Sequence, residues 1–259
     1  MQPAASESSS DGCGDPEPAC PPPAWAADLV ADARLRAGSN IYPPSDDTFL
    51  LLEVLAEDAV RLRKLQPRIC LEIGSGTGTL LAGLLEVLRG TATTPAGQAT
   101  APAARAPLLF AVDKNPDAVA CTDALLRARG APVVSAIQAS LTASLRLQGA
   151  VDVGLCNPPY VPTTDPEEMH SCGIAASWAG GERGREVIDL LLPCIAGLLA
   201  PGGLFYLVCV AENHPDEIMS VVASSGLRAE IARREVRGIE ELLILRFERE
   251  WTGDPDSGA

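Results

Sequence analysis

The segment richest in usable chemistry is Asn157-Pro158-Pro159-Tyr160. It continues directly from Val151-Asp152-Val153-Gly154-Leu155-Cys156, an apolar run that reads as a strand. Asn157 offers one carbonyl acceptor and two N–H donors on a short arm. Pro158 has no N–H but keeps its carbonyl, and two consecutive prolines stiffen the turn. A planar –NH2 group can give one hydrogen to Asn157 and one to the Pro158 carbonyl, while Tyr160 packs against the planar group. The lone pair of an amide or exocyclic amine is delocalised, so its nitrogen is a poor nucleophile. Acceptors that hold its hydrogens favour lone-pair character and aim the nitrogen at an electrophile, and positioning supplies much of such a rate gain. A sulfonium methyl group is the natural electrophile. No strong general base is needed before transfer, because nitrogen loses its proton easily once alkylated. Taken alone, the tetrapeptide also reads as a rigid turn.

A second motif changes that balance. Leu71-Glu72-Ile73-Gly74-Ser75-Gly76-Thr77-Gly78 ends a strand and opens a helix. Glycines there permit a tight turn and let a ligand approach the main chain. Glu72 stands in an otherwise apolar strand end, where an acid is costly without a partner. The next strand ends in Asp113, where a carboxylate can grip ribose hydroxyls. Asp113 lies 35 positions beyond Gly78, against roughly 20 in a dinucleotide fingerprint. Removing the low-complexity stretch 90–107, 18 residues long, restores a spacing of 17. A nicotinamide or flavin site fits the glycines alone, but the Asn-Pro-Pro-Tyr loop argues against it.

The elements that must position these loops can be read from periodicity. Strands are expected at Arg68–Ile73, Leu108–Asp113, Val133–Gln138, Val151–Cys156, Leu204–Val210, Arg228–Val236 and Glu241–Glu248. Helices are expected at Asp46–Arg63, Thr77–Arg89, Pro116–Arg129, Arg185–Leu199 and Pro215–Ser224. Pro201-Gly202-Gly203 is a stop-and-turn signal. Alternation of strand and helix implies an α/β fold with a mostly parallel sheet and helices on both faces. The short turn at Arg237-Gly238 makes the last pair antiparallel. Ligands of such sheets bind beyond the strands' carboxyl ends, so both loops face one crevice. Residues 1–26, rich in Pro, Ser, Gly and acids, read as a disordered tail; 27–250 as the folded domain, with 90–107 a surface insertion; and 251–259 as a second tail.

Bulk properties narrow the partners. The net charge of −14 works against nucleic acid and anionic membranes. No run of about 20 apolar residues is present, so no membrane span is expected. The 8 cysteines include no C-x-x-C pair and there are only 2 histidines, which favours reduced structural thiols, a cytosolic setting and no metal site. His170 reads as a solvated loop residue.

Together the motifs resemble class I S-adenosylmethionine methyltransferases of the release-factor glutamine methyltransferase type, and within it the eukaryotic-type (HemK2/Mtq2-like) catalytic subunit. The resemblance spans about residues 40–248. Its most specific segments are Tyr42-Pro43-Pro44-Ser45-Asp46-Asp47-Thr48-Phe49 and Trp178-Ala179-Gly180-Gly181 with Gly184-Arg185-Glu186. It implies a Rossmann-like fold whose seven-stranded, mostly parallel sheet has an antiparallel last strand. It implies S-adenosyl-L-methionine as cofactor, contacted by Thr48, Glu72, the glycine loop (Gly74, Gly76, Gly78), Asp113, Ser140, Leu141 and Asn157. Asn157, Pro158 and Tyr160 would form the catalytic and substrate-binding set, with the glutamine of a Gly-Gly-Gln motif in a translation termination factor as acceptor. A small zinc-binding adaptor completing a heterodimer is implied as partner, in the cytoplasm with a nuclear pool also open. Methylation of histone lysine and of trivalent arsenicals is attributed to members as well. The sequence departs from the family at Ser140, where an acid usually reaches the adenine amino group. A hydroxyl lacks the charge assistance of a carboxylate, so weaker cofactor binding is expected.

Two other readings of the same motifs compete with this one. An adenine-N6 methyltransferase on DNA or RNA also uses such a loop, but it needs a basic face, and stretch 90–107 carries one basic residue, Arg105. A non-catalytic binding subunit is disfavoured by the intact Asn157, Pro158 and Tyr160. Asp46 and Asp47 open a helix, where capping explains them, with the shaping of an active-site lid as the alternative. Trp178 is either a core anchor or a substrate-channel residue, and Glu240 and Glu241 read as surface charges at a strand end.

Overall fold

The structure is a computed structural model that describes residues 18–92, 103, 105–164 and 177–251. Helices α1 (Ala27–Arg36), α2 (Asp46–Glu57) and α3 (Ala59–Leu65) precede the first strand, β1 (Ile69–Ile73). Then come α4 (Thr79–Arg89), β2 (Leu108–Asp113), α5 (Pro116–Ala128), β3 (Val134–Gln138) and β4 (Val151–Cys156). The chain closes with α6 (Glu186–Leu198), β5 (Leu199–Val210), α7 (Pro215–Ser224), β6 (Arg228–Arg237) and β7 (Glu240–Glu248). The strands form one seven-stranded sheet in the order β3-β2-β1-β4-β5-β7-β6. All pairings from β3 to β5 are parallel, and β7 runs antiparallel to both its neighbours.

That order reverses between β1 and β4, which lie side by side with Ile73 opposite Cys156. Their carboxyl ends therefore deliver the glycine loop and the Asn-Pro-Pro-Tyr loop to adjacent positions, the usual place for a ligand crevice. Strand β4 is buried along its whole length, as a strand covered on both faces must be. The core is aliphatic: Leu, Val, Ile and Ala dominate it, with Phe49, Phe205, Tyr206 and Phe247 the largest fully buried rings.

Four expectations need correction. Residues 18–26 are not tail: the backbone N–H groups of Ala19 and Cys20 donate to the Asp46 carboxylate at 2.7 and 2.9 Å, and one helical turn follows at Ala24–Ala26. The single helix expected over Asp46–Arg63 breaks at Asp58, whose carboxylate accepts from the Tyr206 hydroxyl at 2.7 Å and pairs with Arg246. Pro201-Gly202-Gly203 does not end a helix before a later strand. It forms a bulge inside β5, where Leu199 pairs with Val151 and Leu204 with Val153. Finally, the ends of insertion 90–107 are not wholly superficial, since Ala92 is buried and Ala103 packs on the core; alanines are small enough to fit there. Positions 93–102, 104, 165–176 (with His170 and Cys172) and most of both tails lie outside the described residues.

Candidate active site

A cleft of about 620 Å³ opens at the carboxyl ends of β1, β2 and β4, a size that suits a cofactor or small ligand. Its wall includes Thr48, Glu72, Gly74, Gly76, Asp113, Ser140, Leu141, Asn157, Pro158 and Tyr160. Of the residues expected to contact cofactor or acceptor, only Gly78 is not part of that wall, and its place behind the loop has a steric cause. Gly78 has φ +80°, and a Cβ there would lie 2.9 Å from Thr122 Cγ2 on α5. Thr122 in turn donates to Ser75 Oγ or the Gly76 carbonyl, at 3.0 and 3.1 Å. Helix α5 thus buttresses the loop from behind, and only glycine leaves room for that approach.

The acids at the loop are anchored by main chain. Asp113 accepts from Gly76 N–H at 2.9 Å through one oxygen and from Asn115 N–H at 2.8 Å through the other. Each oxygen keeps a further lone pair, so a vicinal diol can still bind. Glu72 is 2% exposed and accepts from Leu81 N–H, in the first turn of α4, at 3.1 Å. Burial pushes its carboxyl well above the usual range; the Leu81 hydrogen bond opposes that, and nearby Asp113 adds to it. Leu141 adopts φ +49° where it lines the cleft, a backbone strain that nothing in its residue type announces. Ser140 is exposed.

At the other end, Asn157 Nδ2 donates to Asp47 Oδ2 at 2.9 Å, and the Tyr160 hydroxyl donates to the same oxygen at 3.1 Å. Asn157 Oδ1 is left buried with no hydrogen-bond partner among the described residues. Burial, followed by the charges of Asp47 and Glu240, raises the Tyr160 hydroxyl far above its ordinary value, so it remains a donor. The loop is closed from outside by the Trp178–Gly184 segment. Val161 N–H donates to the Trp178 carbonyl at 3.0 Å and Gly180 N–H to the Val161 carbonyl at 2.9 Å. Asn213, fully buried after β5, donates to the carbonyls of Tyr160, Arg183 and Gly184. Gly184 has φ +66°, and a Cβ there would sit 2.0 Å from the Tyr160 carbonyl oxygen. The segment that looked family-specific in sequence is therefore the clamp of the acceptor loop, while Trp178 itself lines the cleft.

Known proteins match the chain over most of its length. It is 39% identical over 214 residues to the human protein "Methyltransferase HEMK2", covering 82% of this chain and 91% of that protein. It is 30% identical to the Schizosaccharomyces pombe "eRF1 methyltransferase catalytic subunit mtq2", covering 85% and 94%. The chain belongs to the HEMK2/Mtq2 family of methyltransferases. Among solved structures, the E. cuniculi Mtq2-Trm112 complex matches with a TM-score of 0.56 and 25% identity, over 81% of this chain and 99% of that one. The T. thermophilus 16S rRNA N2 G1207 methyltransferase, solved with AdoMet and guanosine, shares the fold at 18% identity and a TM-score of 0.54. No protein-family model matches.

Sequence reasoning left open, misassigned or missed several residues that build this site. Asp46 does not cap α2; its carboxylate holds the amino-terminal segment. Asp47 is 7% exposed and serves Asn157 and Tyr160. Glu240 is no surface charge: it lines the cleft, and burial, with Asp47, Glu212 and Asp46 nearby, raises its carboxyl. Asn213 and Thr122 carry no local signal.

Proposed function

We propose that the chain transfers the methyl group of S-adenosyl-L-methionine to the side-chain amide nitrogen of a glutamine in a translation termination factor, at a Gly-Gly-Gln motif. The observation that carries the acceptor half of this reading is the buried, unpartnered Asn157 Oδ1 on the cleft wall beside Pro158. A buried acceptor without a partner is costly, by about 1–3 kcal/mol. An incoming –NH2 relieves that cost by giving one hydrogen to Asn157 and the other to the Pro158 carbonyl. Relatives point the same way: the Schizosaccharomyces pombe protein is named an eRF1 methyltransferase, and a Deinococcus radiodurans protein, 29% identical over 218 residues, is named a release factor glutamine methyltransferase.

The cofactor half rests on fit. Asp113, braced on both oxygens, suits a ribose diol, and the glycine loop leaves its main chain open beside the cleft, since a Cβ on Gly76 would meet nothing within 4 Å. Bound there, the cofactor supplies an electrophilic sulfonium methyl group. The chain's own residues do the rest. Asn157 and Pro158 orient the acceptor nitrogen, Tyr160 packs against its planar group, and the Trp178–Gly184 clamp keeps that loop in place. Catalysis on this reading is mainly positioning and selective hydrogen bonding. A small adaptor subunit, as in the solved Mtq2-Trm112 complex, is the proposed partner, in a cytosolic setting.

The test incubates the chain, with and without such an adaptor, with methyl-labelled cofactor and three acceptors: a termination factor, duplex DNA and histone. Label on the termination factor, lost when its Gly-Gly-Gln glutamine is replaced, is the expected result. Label on DNA alone overturns the reading.

A further inference from the structure

Asp47 stands in the first turn of α2, 110 residues before Asn157 in sequence, yet its carboxylate meets the acceptor loop. Oδ2 receives both Asn157 Nδ2–H and the Tyr160 hydroxyl, while Oδ1 receives the Thr48 N–H at 2.5 Å and the Thr48 hydroxyl at 3.2 Å. A carboxylate of this kind only accepts. If the Asn157 amide turned over, its oxygen would face Oδ2 across a hydrogen-bond distance with no hydrogen between them. The amide therefore has one stable orientation, with nitrogen toward Asp47 and Oδ1 left over. That leftover oxygen is the buried unpartnered atom of the cleft. Tyr160 is bound by the same logic: its hydroxyl must donate, which fixes the ring beside the acceptor position.

We propose that Asp47 is a positioning residue that sets the flip of the Asn157 amide, so that the cleft presents an acceptor, not a donor, to the incoming nitrogen. This rests on the reading of the cleft as an amide-nitrogen methyltransferase. Its consequence is a selection rule. The site admits a planar nitrogen that still carries hydrogens and rejects groups that only accept, such as a carboxylate.

Asp47→Asn is the informative variant, because it keeps the shape and breaks the logic. An asparagine cannot accept at both Oδ1 and Oδ2 positions. If its oxygen faces Asn157 and Tyr160, its –NH2 opposes the Thr48 N–H; if it turns, its –NH2 opposes Asn157 and drives that amide over. Asp47→Ala removes the constraint outright. Both are made in the full chain, alongside the parent. Binding of S-adenosyl-L-homocysteine should stay within about 3-fold in Asp47→Asn, because Asp113 and Glu72 are held by main-chain N–H groups that the substitution does not touch. Methylation of the termination factor should lose kcat by about 10²-fold, as when one preorganised hydrogen bond is removed, with KM within about 3-fold. A kcat within 3-fold of the parent in Asp47→Asn overturns the proposal.

A second readout needs no substrate. The side-chain 15N–1H2 pair of Asn157, assigned by its loss in Asn157→Ser, should be protected from solvent exchange in the parent and should shift and exchange at least 10-fold faster in the Asp47 variants. If the parent labels no glutamine, the functional reading fails while this signal still decides the role of Asp47: a shifted pair supports it and an unmoved pair overturns it. Should Asp47→Ala not fold, Asp47→Asn carries the same readout.

Discussion

The two ends of the cleft are built differently. At the acceptor end, side chains do the holding: Asp47 grips the Asn157 and Tyr160 side chains and Asn213 grips the loop carbonyls, with Gly184 packed directly against the Tyr160 carbonyl. At the cofactor end, main chain holds side chains: Gly76, Asn115 and Leu81 N–H groups fix Asp113 and Glu72. The acceptor end leaves one buried polar atom without a partner, Asn157 Oδ1. The cofactor end leaves an exposed Ser140 on a wall that already has its anchors. Chemistry that depends on one orphaned atom should collapse when that atom goes. Binding spread over several main-chain contacts should change by degrees.

The sharpest way to break this contrast is Asn157→Ala. Loss of the orphaned acceptor should lower kcat by about 10²–10³-fold, while cofactor affinity, measured by calorimetry, moves less than about 3-fold. A comparable loss of cofactor affinity would merge the two ends into one unit. Next in size is Gly184→Ala. The new methyl group would meet the Tyr160 carbonyl and Asn213 Nδ2, both within 2.5 Å, at a left-handed backbone position. Backbone must shift, so we expect about 2–4 kcal/mol of lost stability, read from denaturant midpoints, with activity falling too. A neutral result would mean that the clamp is soft.

How far these ends could be read from sequence follows the same division. The cofactor end is made of consecutive residues and main-chain geometry, and the strand ends at Asp113 and Cys156 were legible from alternation and length. The acceptor tetrapeptide was equally legible. Its supports were not: Tyr160 meets Asp47 across 113 positions and Asn213 across 53, and no local pattern encodes such pairings. Asp47 could not be decided between a helix-start acid and part of an active-site lid, because helix starts favour acids whatever else they touch. Glu240 looked superficial because it follows a hairpin turn, and only the packing of that turn beside α2 takes it to the cleft. Helix α1 was missed because it follows a proline run and buries only Leu29, Val30 and Ala33, too narrow a stripe to stand out.

A third prediction concerns pH at the cofactor end. Burial, the largest cause, raises the Glu72 carboxyl, so the folded chain holds that proton more tightly than the unfolded chain does. The stability this contributes is fully present below the unfolded value of about 4.3 and is lost as pH rises through the folded value. Glu72→Gln keeps an oxygen for Leu81 N–H but does not titrate. Its Tm relative to the parent should therefore climb as pH goes from about 4.5 to 8, each kcal/mol showing as about 2–4 °C. A Tm difference that is flat with pH would place the cost of Glu72 elsewhere than in its charge.

The smallest effect is expected at Ser140. Its hydroxyl can accept a hydrogen bond from an adenine amino group, but a carboxylate would accept a stronger one, because charge assistance roughly doubles such bonds. Ser140 is exposed, so water competes and salt screens, and the gain shrinks accordingly. We expect Ser140→Asp to tighten cofactor binding by only about 3–10-fold, near 1 kcal/mol, with kcat on the termination factor unchanged. A cofactor Kd that does not move would show that this wall does not reach adenine. A change in kcat would be more telling. Asp113 and the glycine loop, not Ser140, set where the cofactor's reactive end lies, so a rate effect would mean that the two ends of the cleft are coupled through the strained backbone at Leu141, the next residue in the chain.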